Sequence, residues 1–145
     1  MSSPFESIIL LKKSSIFSEV NTEDLAVVAK ALEEEIFFEG DRIFDMDDHG
    51  DHMYIVLSGR VGISITPKDH QPVFIAEMGA GECFGEMGML DDQPRSASAY
   101  VLEDTKALSL EKAKLRGLIT RYPELAFGIL RSLSLRLRKA NLRAK

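Results

Sequence analysis

The stretch Phe37–Ile63, "FFEGDRIFDMDDHGDHMYIVLSGRVGI", sets the texture of the middle of the chain. Short runs of β-branched and aromatic residues (IFF, RIF, MYIVL) alternate with glycine and aspartate. Such runs, bounded by turn residues every eight to twelve positions, indicate short strands in an all-β sandwich or barrel. The pattern persists to Glu111 through VGISI, VFIAEM and CFG, then SASAYVL and ALSL. "IVLSGRVGI" reads as a hairpin turning at Ser58-Gly59, and a second turn is expected at Glu103-Asp104. Pro67–Pro72 (PKDHQP) is a polar turn with proline at both ends.

Helical signals stand on either side. Residues 5–12 (FESIILLK) suit a short helix. Asn21-Thr22 precede Glu23-Asp24 and then apolar residues at helical spacing, which is an N-cap signature. After Glu111 the segment KAKLRGLITRY forms one helix, and Pro123 suits the first turn of another. In that last helix Ala126, Leu130, Leu133, Leu137, Ala140 and Ala144 form a narrow seam spaced four and three alternately. The expected fold is therefore mainly β with flanking helices. It comprises N-terminal helices over 1–33, a jelly-roll-like β-roll (a double-stranded β-helix) over 34–111, and a C-terminal helical subdomain over 112–145.

At 145 residues the chain can bury one real core, and its 45% apolar and 28% charged composition is that of a soluble globular protein. The longest aliphatic run, Ile8–Leu11, falls far short of the roughly 20 residues that span a bilayer. No signal-peptide pattern opens the chain, and Cys83 is its only cysteine, so a cytoplasmic setting without disulfides is expected. The net charge of −5 conceals a polarity: −14 from Met1 to Glu111 and +9 from Lys112 to Lys145. The acidic body argues against nucleic-acid binding by the β region. The basic tail suits nucleic acid, the acidic body or a partner equally well.

The richest candidate site is Phe84–Ser98, "FGEMGMLDDQPRSAS". Gly85 and Gly88 flank the start of an expected helical turn over 86–90, where free backbone N–H groups and close approach favour an anion. Arg95 adds a guanidinium able to grip a phosphate through two parallel hydrogen bonds. Glu86 would repel a phosphate at close range, so its role beside one is to accept from a hydroxyl. The set describes a sugar-phosphate cradle; the bland alternative is that Glu86 and Arg95 pair with each other. The Asp45–His52 loop (DMDDHGDH) lacks the ligand pattern of a calcium loop and is expected to be a solvated turn. No nucleophile–base arrangement or metal-ligand cluster stands out, so no catalysis and no metal or other cofactor is expected.

"FGEMGMLDDQPRSAS" resembles the phosphate-binding cassette of cyclic-nucleotide-binding domains, found in bacterial cyclic-AMP receptor transcription factors, regulatory subunits of cyclic-AMP-dependent protein kinase and cyclic-nucleotide-gated channels. The pattern is F-G-E, aliphatic and small residues, then R-[STA]-A. The stretch 37–63 and the flanking helices match the family in order, so the resemblance covers essentially the whole chain. It implies a regulatory sensor of cyclic AMP that relays occupancy through its C-terminal helices. Glu86 would accept from the ribose 2′-hydroxyl and Arg95 would hold the exocyclic phosphate oxygens. Gly85, Glu86 and Met87 would offer backbone groups. Ser96 would reach phosphate or base, and Ala97 would keep the wall close. Ser96 leans towards cyclic AMP, while its hydroxyl also admits cyclic GMP.

Two positions depart from the family. Asp47 stands where a turn glycine is frequent, and aspartate tolerates positive φ. Ala140 and Asn141 stand where bacterial receptors carry a threonine-serine pair against the adenine, which leaves Asn141 to contact the base. No helix-turn-helix segment follows, so no DNA-binding domain is expected within 1–145. A homodimer through the apolar seam of the last helix is the partner expectation beside the small-molecule cyclic nucleotide. The alternative function is the same fold without nucleotide binding, acting as a protein-interaction module.

Overall fold

A computed structural model describes residues 3–143. The chain forms two compact units: one is Leu32–Lys112, and the other draws on the two ends of the chain, up to Ala31 and from Ala113.

The first unit is an antiparallel β-roll. Its spine is a pair of 14-residue strands, β3 (His52–Ile65) and β6 (Ser98–Glu111). These pair antiparallel from His52–Glu111 to Ser64–Ser98. Shorter strands complete the roll at either end. β1 (Glu33–Phe37) and β2 (Arg42–Phe44) lie along β6, while β4 (Val73–Met78) and β5 (Cys83–Phe84) lie along β3.

The expected turns at Ser58-Gly59 and Glu103-Asp104 are corrected here: neither is a hairpin. The two segments are mid-strand bends opposite one another, with register shifts between Val56 and Val61. Gly59 has φ +99, and a Cβ there would run into the backbone of Asp104 and Thr105. The left-handed glycine makes a bulge that bends the strand without ending it. Pairing on both sides of the bulge holds each long strand together.

Alternation along β3 and β6 turns Val56, Val61, Ile63 and Ala99 inward with Phe84. Phe44, Tyr54, Met78 and Ala97 pack against this core. Tyr54 stacks on Phe84 with ring centroids 5.2 Å apart. The polar turn over 67–72 is present as expected, with the His70 N–H donating to the Pro67 carbonyl at 3.0 Å and Asp69 at φ 64.

The second unit holds α1 (Pro4–Lys13), α2 (Thr22–Ala29), most of α3 (Lys112–Arg121) and α4 (Pro123–Arg143). Asn21 caps α2 as its sequence position implies, accepting from the Asp24 N–H at 2.8 Å. On α4 the buried stripe is Leu125, Gly128, Ile129 and Ser132, one face round from the expected seam. Gly128 lets the helix approach Val20, whose Cγ2 would lie 2.8 Å from an added Cβ. Ser132 Oγ accepts from the Glu19 N–H at 2.9 Å and donates to the Gly128 carbonyl. Of the seam itself, Leu130 and Leu137 are exposed, at 59% and 63%. Ala144 lies outside the described residues.

Candidate functional site

The cassette opens with β5, which delivers Phe84 into the core and leaves Gly85 at φ +79. A three-residue 3-10 helix, Met87–Met89, follows in place of the full helical turn, and Met89 anchors it by burial. The chain then loops out through Asp91–Pro94 and returns to β6 with Arg95, whose side chain is buried at 8% exposure.

Arg95 does not pair with Glu86: no ion pair between them occurs among the described residues. Its guanidinium lies over the Phe44 ring, 3.9 Å from the centroid, a cation–π arrangement. Nη2 donates to the His52 carbonyl at 2.7 Å and Nη1 to the Gly85 carbonyl at 3.2 Å. Nε is buried without a hydrogen-bond partner. Burial pulls the Arg95 pKa below its ordinary value, opposed by Tyr54, Asp51, Asp48 and Glu86. Arginine starts so high that it stays charged. The result is a desolvated cation held by a ring and two carbonyls, with no carboxylate among its hydrogen-bond partners.

The Asp45–His52 loop is a turn with Asp47, Asp48, His49 and Asp51 exposed, as expected, and it is also the other half of this cradle. The Asp47 N–H donates to the Arg95 carbonyl and the Arg95 N–H to the Asp48 carbonyl, both at 2.8 Å. Asp47 adopts φ 74, so aspartate does sustain the left-handed turn. Gly50 lies against the guanidinium, where a Cβ would overlap Nε and Cζ. Asp51 is held below its usual pKa by its hydrogen bond to the His52 ring, 2.7 Å away.

Arg95 lines a hollow of about 400 Å³. Its walls are Phe44, Ile63, Met78 and Phe84 from the core, then Gly85–Gly88 and Asp91 with Gln93–Ala97. The volume lies in the range of small-molecule sites, and apolar walls with a few convergent polar groups are what such sites use. Gly85, Glu86, Met87, Arg95, Ser96 and Ala97 thus meet at one cavity. Asn141 belongs to the helical unit, exposed near the end of α4.

Cys83 also lines the hollow, and its Sγ lies 3.7 Å from Glu86 Oε2. Burial pushes its thiol well above the ordinary range, and the Glu86 carboxylate adds to this. A free cysteine, with a pKa of about 8.5, approaches full reactivity near pH 10. The rate of Cys83 alkylation by iodoacetamide, followed by mass spectrometry, is expected to be still climbing there. Glu86→Gln should bring the curve to lower pH, and an unmoved curve would assign the shift to burial alone.

The cyclic nucleotide-binding domain model matches residues 34–122. The chain belongs to the cyclic nucleotide-binding domain family. It is 36% identical over 132 residues to the cyclic AMP receptor protein of Thermus thermophilus, covering 91% of this chain and 61% of that one. It is 33% identical over 132 residues to the CRP-like cAMP-activated global transcriptional regulator of Mycobacterium tuberculosis, covering 91% and 59%. The chain thus spans about 60% of the length of these curated relatives. Its structure is similar to the N-terminal domain of a transcriptional regulator from Streptomyces coelicolor A3(2), with a TM-score of 0.82, 30% identity, and coverage of 94% and 95%. The described residues include no helix long and apolar enough to cross a membrane.

Three residues of the cyclic nucleotide-binding domain's cradle escape sequence reading: Phe44, Gly50 and His52. Phe44 acts through a ring face, which in a strand reads as an ordinary core aromatic, and His52 through a carbonyl, which any residue could supply. Gly50 had a signal, a glycine inside an otherwise polar loop, but its purpose is visible only with Arg95 beside it.

Proposed function

We propose that this chain is a regulatory module that binds cyclic AMP and carries occupancy to its C-terminal helices. The observation that supports it best is Arg95: a buried guanidinium with no carboxylate partner, one nitrogen unbonded, on the wall of a cavity of small-molecule size. A desolvated cation of this kind is suited to an anion arriving with the ligand, and a planar fork suits a phosphate. The names of the two curated relatives, both of which specify cyclic AMP, point the same way.

In this reading Arg95 grips the exocyclic oxygens of the cyclic phosphate. Glu86, which has the Cys83 thiol as its neighbour, accepts from the ribose 2′-hydroxyl. Gly85, Glu86 and Met87 offer backbone groups, Ser96 reaches phosphate or base, and Ala97 keeps its wall close. Asn141 contributes from α4 to the base. The cycle is bound and released without turnover, and no metal takes part. Cyclic GMP is the second ligand that Ser96 admits. The domain layout is 1–33, 34–111 and 112–145, acting in the cytoplasm. Exposed Leu130 and Leu137 on α4 favour a homodimer through that helix, since such apolar side chains gain by burial.

Calorimetric titration with cyclic AMP, cyclic GMP and 5′-AMP tests the reading. Saturable binding of cyclic AMP, with 5′-AMP far weaker, is expected. Failure of all three would leave a fold used only for protein contacts. Glu86→Gln is expected to weaken cyclic AMP by about 1–3 kcal/mol, because an amide oxygen still accepts a hydrogen bond. The sharper readout is 2′-deoxy cyclic AMP, which should bind the wild type poorly and lose little more in the variant. Equal losses for both nucleotides would remove Glu86 from the ribose.

A further inference from the structure

The β unit carries a second hollow, of about 300 Å³, that shares no lining residue with the first. Alternation explains why the two are separate. Ile63 points into the roll and lines the first cavity, so Ser64, its neighbour in β3, lines the other face. Directly opposite residues of paired strands share a face. Ser64 sits between Phe74 of β4 and Ser98 of β6, and Gly62 lies opposite Tyr100. Small residues in the middle of the row and large ones at its rim make the depression. A Cβ at Gly62 would come within 2.6 Å of the Tyr100 ring, so the glycine lets that ring lie close on the sheet.

The floor is polar and incompletely bonded. Ser64 and Ser98 are each only 7% exposed. Ser64 Oγ has no hydrogen-bond partner among the described residues, and neither has the Tyr100 hydroxyl. Ser98 Oγ accepts from the Met46 N–H at 2.8 Å and keeps its own proton to give. At the rim stand Phe74, 56% exposed, and Arg42, already paired with Asp45. A neutralised arginine does not select an anion. A plain apolar ligand would leave buried hydroxyls unmet.

We infer that this hollow is a second small-molecule site, for a neutral polyhydroxylated ring of monosaccharide size. Its hydroxyls both donate and accept, as do Ser64, Ser98 and Thr66, while its C–H face covers Phe74 and Tyr100. The inference is independent of the nucleotide reading, because no residue is shared.

The test is an amide NMR titration of the full chain with methyl α-D-glucopyranoside and methyl α-D-galactopyranoside, to about 50 mM, since ligands this small bind at millimolar affinity. At least one glycoside is expected to give saturable shifts centred on Ser64, Phe74, Ser98 and Tyr100. Phe74→Ala, at an exposed position, should weaken it about tenfold, and Thr66→Val about threefold. Thermal unfolding of each variant confirms that the roll is intact. No saturable shift from either glycoside overturns the site, as do shifts that ignore Phe74→Ala. Tighter binding of benzoate than of both glycosides overturns the ligand class by making Arg42 an anion site.

Discussion

Arg95→Ala is expected to weaken cyclic AMP binding by about 2–5 kcal/mol, the usual loss when one partner of a buried, hydrogen-bonded charge pair is truncated. That is roughly 30-fold to a few thousandfold in the dissociation constant. The size follows from burial: Arg95, 8% exposed, has already given up most of its water on folding, so only the phosphate's own desolvation remains to be met when the two pair. The fold should lose far less. Arg95 also donates to the carbonyls of Gly85 and His52, but its side chain lines the cavity, so truncating it lets water reach the carbonyls it leaves. A net hydrogen bond is worth about 1 kcal/mol, and hydrated carbonyls lose only part of that. Calorimetric titration and thermal unfolding separate the two effects. Wild-type affinity in the variant would remove Arg95 from the ligand. Collapse of the fold with unchanged affinity in the remaining folded fraction would make its carbonyl contacts the main role.

Arg95→Lys is informative in the same experiment. Lysine keeps the charge but not the planar fork, and it cannot lie flat over Phe44 as arginine does. Its affinity should fall between those of the wild type and the alanine variant.

The cassette was legible because its chemistry is local. Gly85, Glu86 and Arg95 lie within eleven residues, and each type has a narrow physical use there. The helices were legible for the same reason, since Asn21 and Pro123 mark starts by rules that need no distant partner. The bends at Gly59 and Glu103 were not. A serine-glycine step inside a β run signals a turn locally, and only cross-strand pairing from Val61–Val101 to Ser64–Ser98 shows that the strand continues past it. The fate of Arg95 was likewise open. Sequence left two partners open, an anion from outside or Glu86, and could not show that the fold holds the side chain with Phe44, His52 and Gly85 from three separate segments. On α4 the seam picked out by spacing is not the buried stripe, because Gly128 and Ser132 are buried beside Leu125 and Ile129 and carry no apolar signal.

Gly50→Ala carries that lesson to its largest consequence. The glycine does not occupy the left-handed region, so alanine costs its backbone little. The difficulty is spatial. The new methyl would overlap Nε and Cζ of Arg95 and lie 2.8 Å from its Cδ. The methyl and the guanidinium cannot share this space. Arg95 has four side-chain torsions and an open cavity beside it, so it is the group that moves, leaving the Phe44 ring and the two carbonyls. One methyl in a loop should therefore reproduce most of the Arg95→Ala defect, a loss of at least about 2 kcal/mol in cyclic AMP binding, with the roll still folded. The decisive measurement is the double variant. If Gly50 acts only by seating Arg95, then Gly50→Ala on an Arg95→Ala background should cost almost nothing more, because the methyl then has room. Contacting residues depart from additivity in this way, whereas independent sites add to within about 0.5 kcal/mol. A double variant that loses the full sum would show that Gly50 meets the ligand by another route. A single variant that binds like the wild type would show that the ligand does not need Arg95 where the fold holds it.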